Sequence, residues 1–213
     1  MSYMRLQKTS DGMGVAMTIG YHDGNRQLQD EFESRKIADR LDEFARTAFS
    51  EDDKAFVESC AFFFLATADS EGRPDCSHKG GMPGFARVSQ ADEIVFPDYD
   101  GNGMFKSLGN IAVNPNVGLL FINFEKPRRL RITGTASFSS DDPLLQQTVG
   151  AQLMVRIKAR AIFPNCPRYI STMQFVEPSK YAPRKGTLFP EPEWKSFPDF
   201  APIVHPRQKT FTG

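Results

Sequence analysis

Lys106 and Ser107 follow a run of glycine, asparagine and aspartate, Asp98-Tyr-Asp-Gly-Asn-Gly-Met-Phe105, and open a short segment with helical spacing. Residue types in this order suit an anion. A glycine-rich loop frees backbone amides at a helix N-terminus, where the positive end of the helix dipole lies. A lysine and a hydroxyl in the first turn add charge and a donor. The same residues also make a polar strand-to-helix connection in which the glycines serve only for turning. The spacing is not that of a P-loop, because G-x-x-x-x-G-K-[ST] is absent. Gly101-Asn-Gly103 also lacks the third glycine of a dinucleotide-binding fingerprint.

Three other constellations stand out. In Cys76-Ser-His-Lys-Gly-Gly81 the two glycines let a flat ligand approach the backbone, with Ser77 and Lys79 as donors; a barrel strand with a glycine bulge has the same signature. Arg129 and Arg131 lie side by side on one strand face, and either meet an anion or face solvent. Asn165-Cys-Pro-Arg-Tyr169 is a turn expected to open a helix. Its Cys166 is a nucleophile or, more simply, a buried packing cysteine. His78 suits acid–base work or a structural hydrogen bond. Phe62, Phe63 and Phe64 are expected in a barrel core. No Ser-His-Asp arrangement, metal cluster or carboxylate pair is visible. Cradle-like loops without acid–base machinery point to chemistry carried by a bound cofactor.

The elements that must position these groups follow from periodicity. Residues 1–24 are Gly/Met-rich and aperiodic, an arm. From about Asn25 to Phe49 the spacing of Leu28, Phe32, Leu41, Phe44, Ala45 and Ala48 predicts a helix. Ser50-Glu-Asp-Asp53 is an S-x-x-D start signal for a second one. Strands are expected at 61–68, 75–79, 85–89, 93–97, 117–124, 128–138 and 151–163. Within 128–138, Arg129, Arg131, Thr133 and Thr135 share one face, opposite Leu130, Ile132, Gly134 and Ala136. In the last strand Leu153, Val155, Ile157 and Ala159 point inward, and Met154 points out. Ser139-Ser-Asp-Asp-Pro143 begins a short helix. Short antiparallel strands with few helices argue for a mainly β fold, a closed or nearly closed barrel with flanking helices. Three divisions result: residues 1–59 (arm and helices packing on the barrel), 60–177 (barrel) and a tail, 178–213. Seven of the fifteen prolines fall in that tail, which should wrap over the surface or reach a neighbouring subunit.

Composition bounds the partners. The chain has 213 residues, 40% hydrophobic and 24% charged, enough for one domain with appendages. Lysines plus arginines number 26 and so do aspartates plus glutamates, so the zero net charge argues against nucleic acid or an anionic membrane as partner. No membrane span or signal peptide is expected. Three dispersed cysteines and three dispersed histidines suit a reducing cytoplasm and argue against structural zinc.

Residues from about Ala61 to Tyr169 resemble the pyridoxamine 5′-phosphate oxidase-like family of FMN-binding split barrels. The motifs that carry the resemblance are Gly72-Arg-Pro-Asp-Cys-Ser-His-Lys-Gly-Gly81, Phe96-Pro-Asp-Tyr-Asp-Gly-Asn-Gly-Met-Phe-Lys-Ser-Leu-Gly-Asn110, Asn114-Pro-x-Val-Gly-Leu-Leu-Phe121, Arg128-Arg-Leu-Arg-x-x-Gly-Thr-Ala136 and Asn165-Cys-Pro-Arg-Tyr169. The helix region Leu28-Gln-Asp-x-Phe32 to Ala38-Asp-Arg40 is similar to an uncharacterised subgroup. The resemblance implies a six-stranded antiparallel split β-barrel with N-terminal helices. It also implies a homodimer with FMN at the interface and oxidoreductase activity on a small molecule. Ser77, His78, Lys79, Gly80 and Gly81 would line the flavin, with Pro97, Asp98, Asn102 and Gly103 flanking it. Lys106 and Ser107 would hold the phosphate. Arg129, with Arg131 beside it, would offer a polar group to the ring, and Asn165, Cys166, Pro167 and Arg168 would close the site from this chain or a partner. The tail Pro198-Asp-Phe-Ala-Pro-Ile-Val-His-Pro-Arg207 does not reproduce the oxidases' Arg/His substrate cluster, and Ser107 replaces one of their paired basic phosphate ligands. Both departures argue against vitamin B6 oxidation. A non-catalytic flavin-binding or storage protein, or a split barrel holding deazaflavin or haem, stays open beside the FMN enzyme.

Overall fold

A computed structural model describes residues 19–187 and 190–204. The chain divides into two compact units, 1–44 and 45–213. The arm expected over residues 1–24 lies outside the described residues as far as residue 18.

The first unit holds α1 (Asp23–Glu31) and α2 (Arg35–Asp42), where the spacing predicts one continuous helix. The break is local: Glu33 adopts φ 52°, a left-handed conformation that cannot continue an α-helix. Asn25 Oδ1 accepts from the His22 backbone N–H at the start of α1, and Arg26 pairs with Asp39 at 2.6 Å across the two helices. Leu28, Phe32 and Leu41, the expected apolar stripe, are exposed.

In the second unit the S-x-x-D signal does start α3 (Glu51–Ser59). Ser50 Oγ accepts from the Asp53 N–H, and Asp53 Oδ2 accepts from the Ser50 N–H. Asp53 is buried, and Arg46 supplies its countercharge at 2.6 Å. Then come β1 (Phe62–Ala68), β2 (Pro74–Gly80), β3 (Arg87–Gln90), β4 (Glu93–Tyr99), α4 (Lys106–Val113), β5 (Asn116–Asn123), β6 (Arg128–Ser139) and β7 (Ala151–Asn165).

The strands form one sheet in the order β2-β1-β5-β6-β7-β4-β3, every pairing antiparallel. The mainly β split-barrel class holds, with seven strands in place of six; the four-residue β3 completes the sheet beside β4. The sheet ends at β2 and β3, so the barrel stays split there.

Strand periodicity decides what enters the core. Phe63 and Leu65 are fully buried, and the Phe63 ring lies 5.0 Å from Phe96 and 4.8 Å from Phe121. Phe62 and Phe64, expected beside Phe63, project from the opposite face of β1, because successive side chains alternate. There Phe62 stacks on His78 at 5.3 Å.

On β6, Leu130, Ile132, Gly134 and Ala136 are buried, as the alternation predicts. The register slips between Thr133 and Gly134, and the glycine is required: a Cβ on Gly134 would sit 2.2 Å from the Lys158 carbonyl oxygen. On β7, Val155, Ile157 and Ala159 point inward as expected, while Met154 is buried in a second cluster with Val95 and Ala151. The helix expected after Ser139 is a 3-10 turn, Leu145–Gln147, and no helix follows Asn165 before residue 187.

Candidate functional site

Edge strand β2, the end of β4, the 100–105 loop and the start of α4 enclose a cavity of about 480 Å³. That volume falls in the range of small-molecule and cofactor sites.

α4 is anchored by its inner face. Leu108 and Ile111 enter the core, and the buried Asn110 donates from Nδ2 to Thr67 Oγ1 of β1 at 2.9 Å. Its N-terminus is built differently. Gly103 has φ 75°, and Phe105, at the N-cap, sits at φ 48° and ψ 28°, where a residue with a Cβ is strained. No side chain caps the helix and no acid occupies its first turn. The leading N–H groups therefore lack a side-chain acceptor, beside Ser107, buried, and Lys106, exposed. Asn102 Oδ1 accepts from the Met104 N–H at 3.0 Å and shapes the approach.

The opposite wall is β2. Gly81 follows it, its N–H donating to the Ala61 carbonyl at 2.9 Å. A Cβ there would meet Phe85, which also lines the cavity, at 2.7 Å. Between the walls stands Asp98, whose Oδ2 accepts from Gln152 Nε2 at 2.8 Å. Burial pushes the Asp98 carboxyl above the usual carboxylate range, against the Gln152 hydrogen bond and the positive charge of Lys79, which lower it; Asp100 raises it further. Burial likewise pushes the neighbouring Tyr99 hydroxyl up to about 12.

The cavity gathers most of the residues that the sequence nominates. Ser77, His78, Lys79 and Gly80 come from β2. Pro97 and Asp98 come from β4, Asn102 and Gly103 from the loop, and Lys106 and Ser107 from α4. Gly81 follows β2 and is not among the lining residues. The remaining six lie elsewhere. Arg129 and Arg131 stand on β6, with Arg129 opposite Asn165 and Arg131 opposite Phe163, whose ring lies 5.2 Å from the Arg131 guanidinium. Arg129 Nε and Asn165 Oδ1 are buried without a hydrogen-bond partner. Cys166, Pro167 and Arg168 follow β7 and are exposed, so Cys166 is not a packing cysteine; the turn leaves the sheet there instead of entering the core.

Sequence reasoning missed Gln152 and Asp100. Gln152 reaches Asp98 only through the pairing of β4 with β7. Asp100 acquires its role from the tail: the buried Lys195, in a 3-10 turn at Glu193–Ser196, pairs with it. The tail thus wraps over the loop of its own chain.

The arrangement suits a flat polar ligand that carries a phosphate: uncapped amides, a hydroxyl and an ammonium on one side, a glycine-ended strand on the other. Among the described residues no cluster could hold a metal, and no helix is long and apolar enough to cross a membrane.

Residues 49–180, well over half the chain, match the family model for pyridoxamine 5′-phosphate oxidase. The chain belongs to the pyridoxamine 5′-phosphate oxidase family. No curated protein matches it. Among solved structures it is similar to HupZ from Group A Streptococcus, at 16% identity and TM-score 0.46 over 59% of this chain and 99% of that one. It is also similar to an FMN-binding protein from Syntrophomonas wolfei, at 11% identity and TM-score 0.42 over 67% and 95% of the two chains. HutZ, the heme storage protein from Vibrio cholerae, matches at 19% identity and TM-score 0.39 over 53% and 90%. These are distant likenesses, and membership of the oxidase family rests on the sequence match.

Proposed function

We propose that this chain binds FMN and acts as a cytoplasmic, FMN-dependent oxidoreductase on a small molecule other than pyridoxamine phosphate. The observation that carries the proposal is the cavity whose one wall is the uncapped start of α4, with Lys106 and Ser107 beside its free amides. These groups would take the phosphate. Ser77, Lys79 and Gly80 would line the ring, and Pro97, Asp98 and Asn102 would flank it. FMN supplies the transfer of hydride or electrons when bound. The chain's own contribution is orientation, exclusion of water and the Asp98 carboxyl, held in place by Gln152.

A homodimer completes the proposal. Arg129 and Asn165 each keep a buried polar atom without a partner, an arrangement that is costly unless something meets it. With Arg131 and the exposed Cys166, Pro167 and Arg168, they would serve the flavin site of a second copy.

The test is the visible spectrum of the protein as purified, followed by addition of NADH or NADPH. An absorbance band of bound flavin that is bleached faster than free FMN supports the proposal. A flavin band bleached no faster than free FMN makes the protein a flavin carrier, and a Soret or deazaflavin spectrum refutes FMN as the cofactor.

A further inference from the structure

The cavity has an electrostatic problem that its own lining does not solve. Three carboxyl groups, Asp75, Asp98 and Asp100, face two ammonium groups, Lys79 and Lys106. A phosphate carrying close to two negative charges would meet a lining with an excess of acids. Two groups bear on these acids, one from the lining and one from outside it. Gln152 holds Asp98 by a hydrogen bond at 2.8 Å. Lys195 comes from 95 residues further along the chain, and its ammonium donates to Asp100 Oδ2. Its side chain is 3% exposed, so the pair is barely screened by solvent.

The segment that delivers it is built for the purpose. The Lys195 N–H donates to the Pro192 carbonyl at 3.1 Å and the Phe197 N–H to the Trp194 carbonyl at 3.1 Å, closing a tight turn. The Trp194 ring packs edge-on against Phe200 at 5.6 Å. A lysine that is nearly dry is uncommon, and burial with a countercharge is the form in which it is tolerated.

We propose that Lys195 is a positioning residue for the anion site: its ammonium neutralises Asp100, so that the 100–105 loop admits a phosphate. The proposal rests on the flavin-phosphate assignment above. It predicts that the tail governs discrimination between FMN and riboflavin, which differ by the phosphate, and not affinity for the ring.

The experiment titrates wild type, Lys195→Met, Lys195→Arg and Asp100→Asn with FMN and with riboflavin, reading quenching of flavin fluorescence, with a melting curve for each variant. Unmasking one carboxylate near the phosphate weakens FMN binding about tenfold in Lys195→Met, with riboflavin within about twofold. Lys195→Arg restores the FMN preference. Asp100→Asn, which removes the acid and keeps the ammonium, shifts the preference further toward FMN. Should Lys195→Met fail to fold, Asp100→Asn decides the matter. Equal loss of both ligands in Lys195→Met, or no gain in Asp100→Asn, overturns the role of Lys195 and leaves flavin binding standing. A wild type that binds neither flavin overturns both.

Discussion

Lys106 occupies the first position of α4, where a positive charge opposes the helix dipole. Stability alone would favour an acid there, and the first turn has none. Lys106→Glu therefore separates stability from function. Removing the unfavourable lysine and adding a favourable glutamate stabilises the ligand-free protein by about 1 kcal/mol, because each charge near a helix end contributes roughly 0.3–1 kcal/mol. In a domain of this size that raises Tm by about 2–4 °C. The phosphate contact moves the other way. A hydrogen bond to a charged group contributes about 1.5–3 kcal/mol, and the new carboxylate adds repulsion, so FMN affinity falls by at least about tenfold. Riboflavin, without the phosphate, keeps its affinity within about twofold. Thermal melting and fluorescence titration at low salt read both effects, and raising the salt shrinks the FMN difference. A variant that melts lower, or that loses FMN and riboflavin alike, refutes the assignment of α4 as the phosphate site.

Two further outcomes follow from the packing and the buried acid. Phe63→Ala removes a fully buried ring in contact with Phe85, Phe96 and Phe121 and costs about 3–5 kcal/mol in chemical denaturation; Phe64→Ala, on the outer face, costs less than half of that. The Asp98 carboxyl titrates above its unfolded value, so the folded state holds more protons in that window, and this group's contribution to stability declines as pH rises from about 4 through the raised value. Asp98→Asn should abolish that part of the slope in melting curves taken from pH 4 to 8, and a wild-type slope unchanged in the variant contradicts the raised titration of the half-buried Asp98.

The parts of the site legible in the sequence were those whose chemistry is local. The 98–107 run carries its glycines, its lysine and its serine within ten residues, and Ser77–Gly81 ends a strand with its own glycines, so both halves of the cavity could be nominated. The strand alternation of β6 also held, since a period of two needs no partner to be visible. What escaped depends on register and distance. Gln152 meets Asp98 because Leu153 pairs with Asp98 across β4 and β7, and Lys195 meets Asp100 across 95 residues of sequence. The triplet Phe62, Phe63 and Phe64 misled because an unbroken apolar run hides which member faces the core. The helix break at Glu33 misled because a single left-handed residue has no composition signal.

The central claim, that this cavity holds FMN by its phosphate at α4, is tested most directly by titrating cofactor-free protein with FMN and riboflavin side by side. The account predicts saturable quenching by FMN with one site per chain, affinity well above that for riboflavin, and a stabilisation of about 2.7 kcal/mol at a hundredfold excess over Kd. FMN that neither loses fluorescence nor raises the melting temperature, or that binds no better than riboflavin, contradicts it.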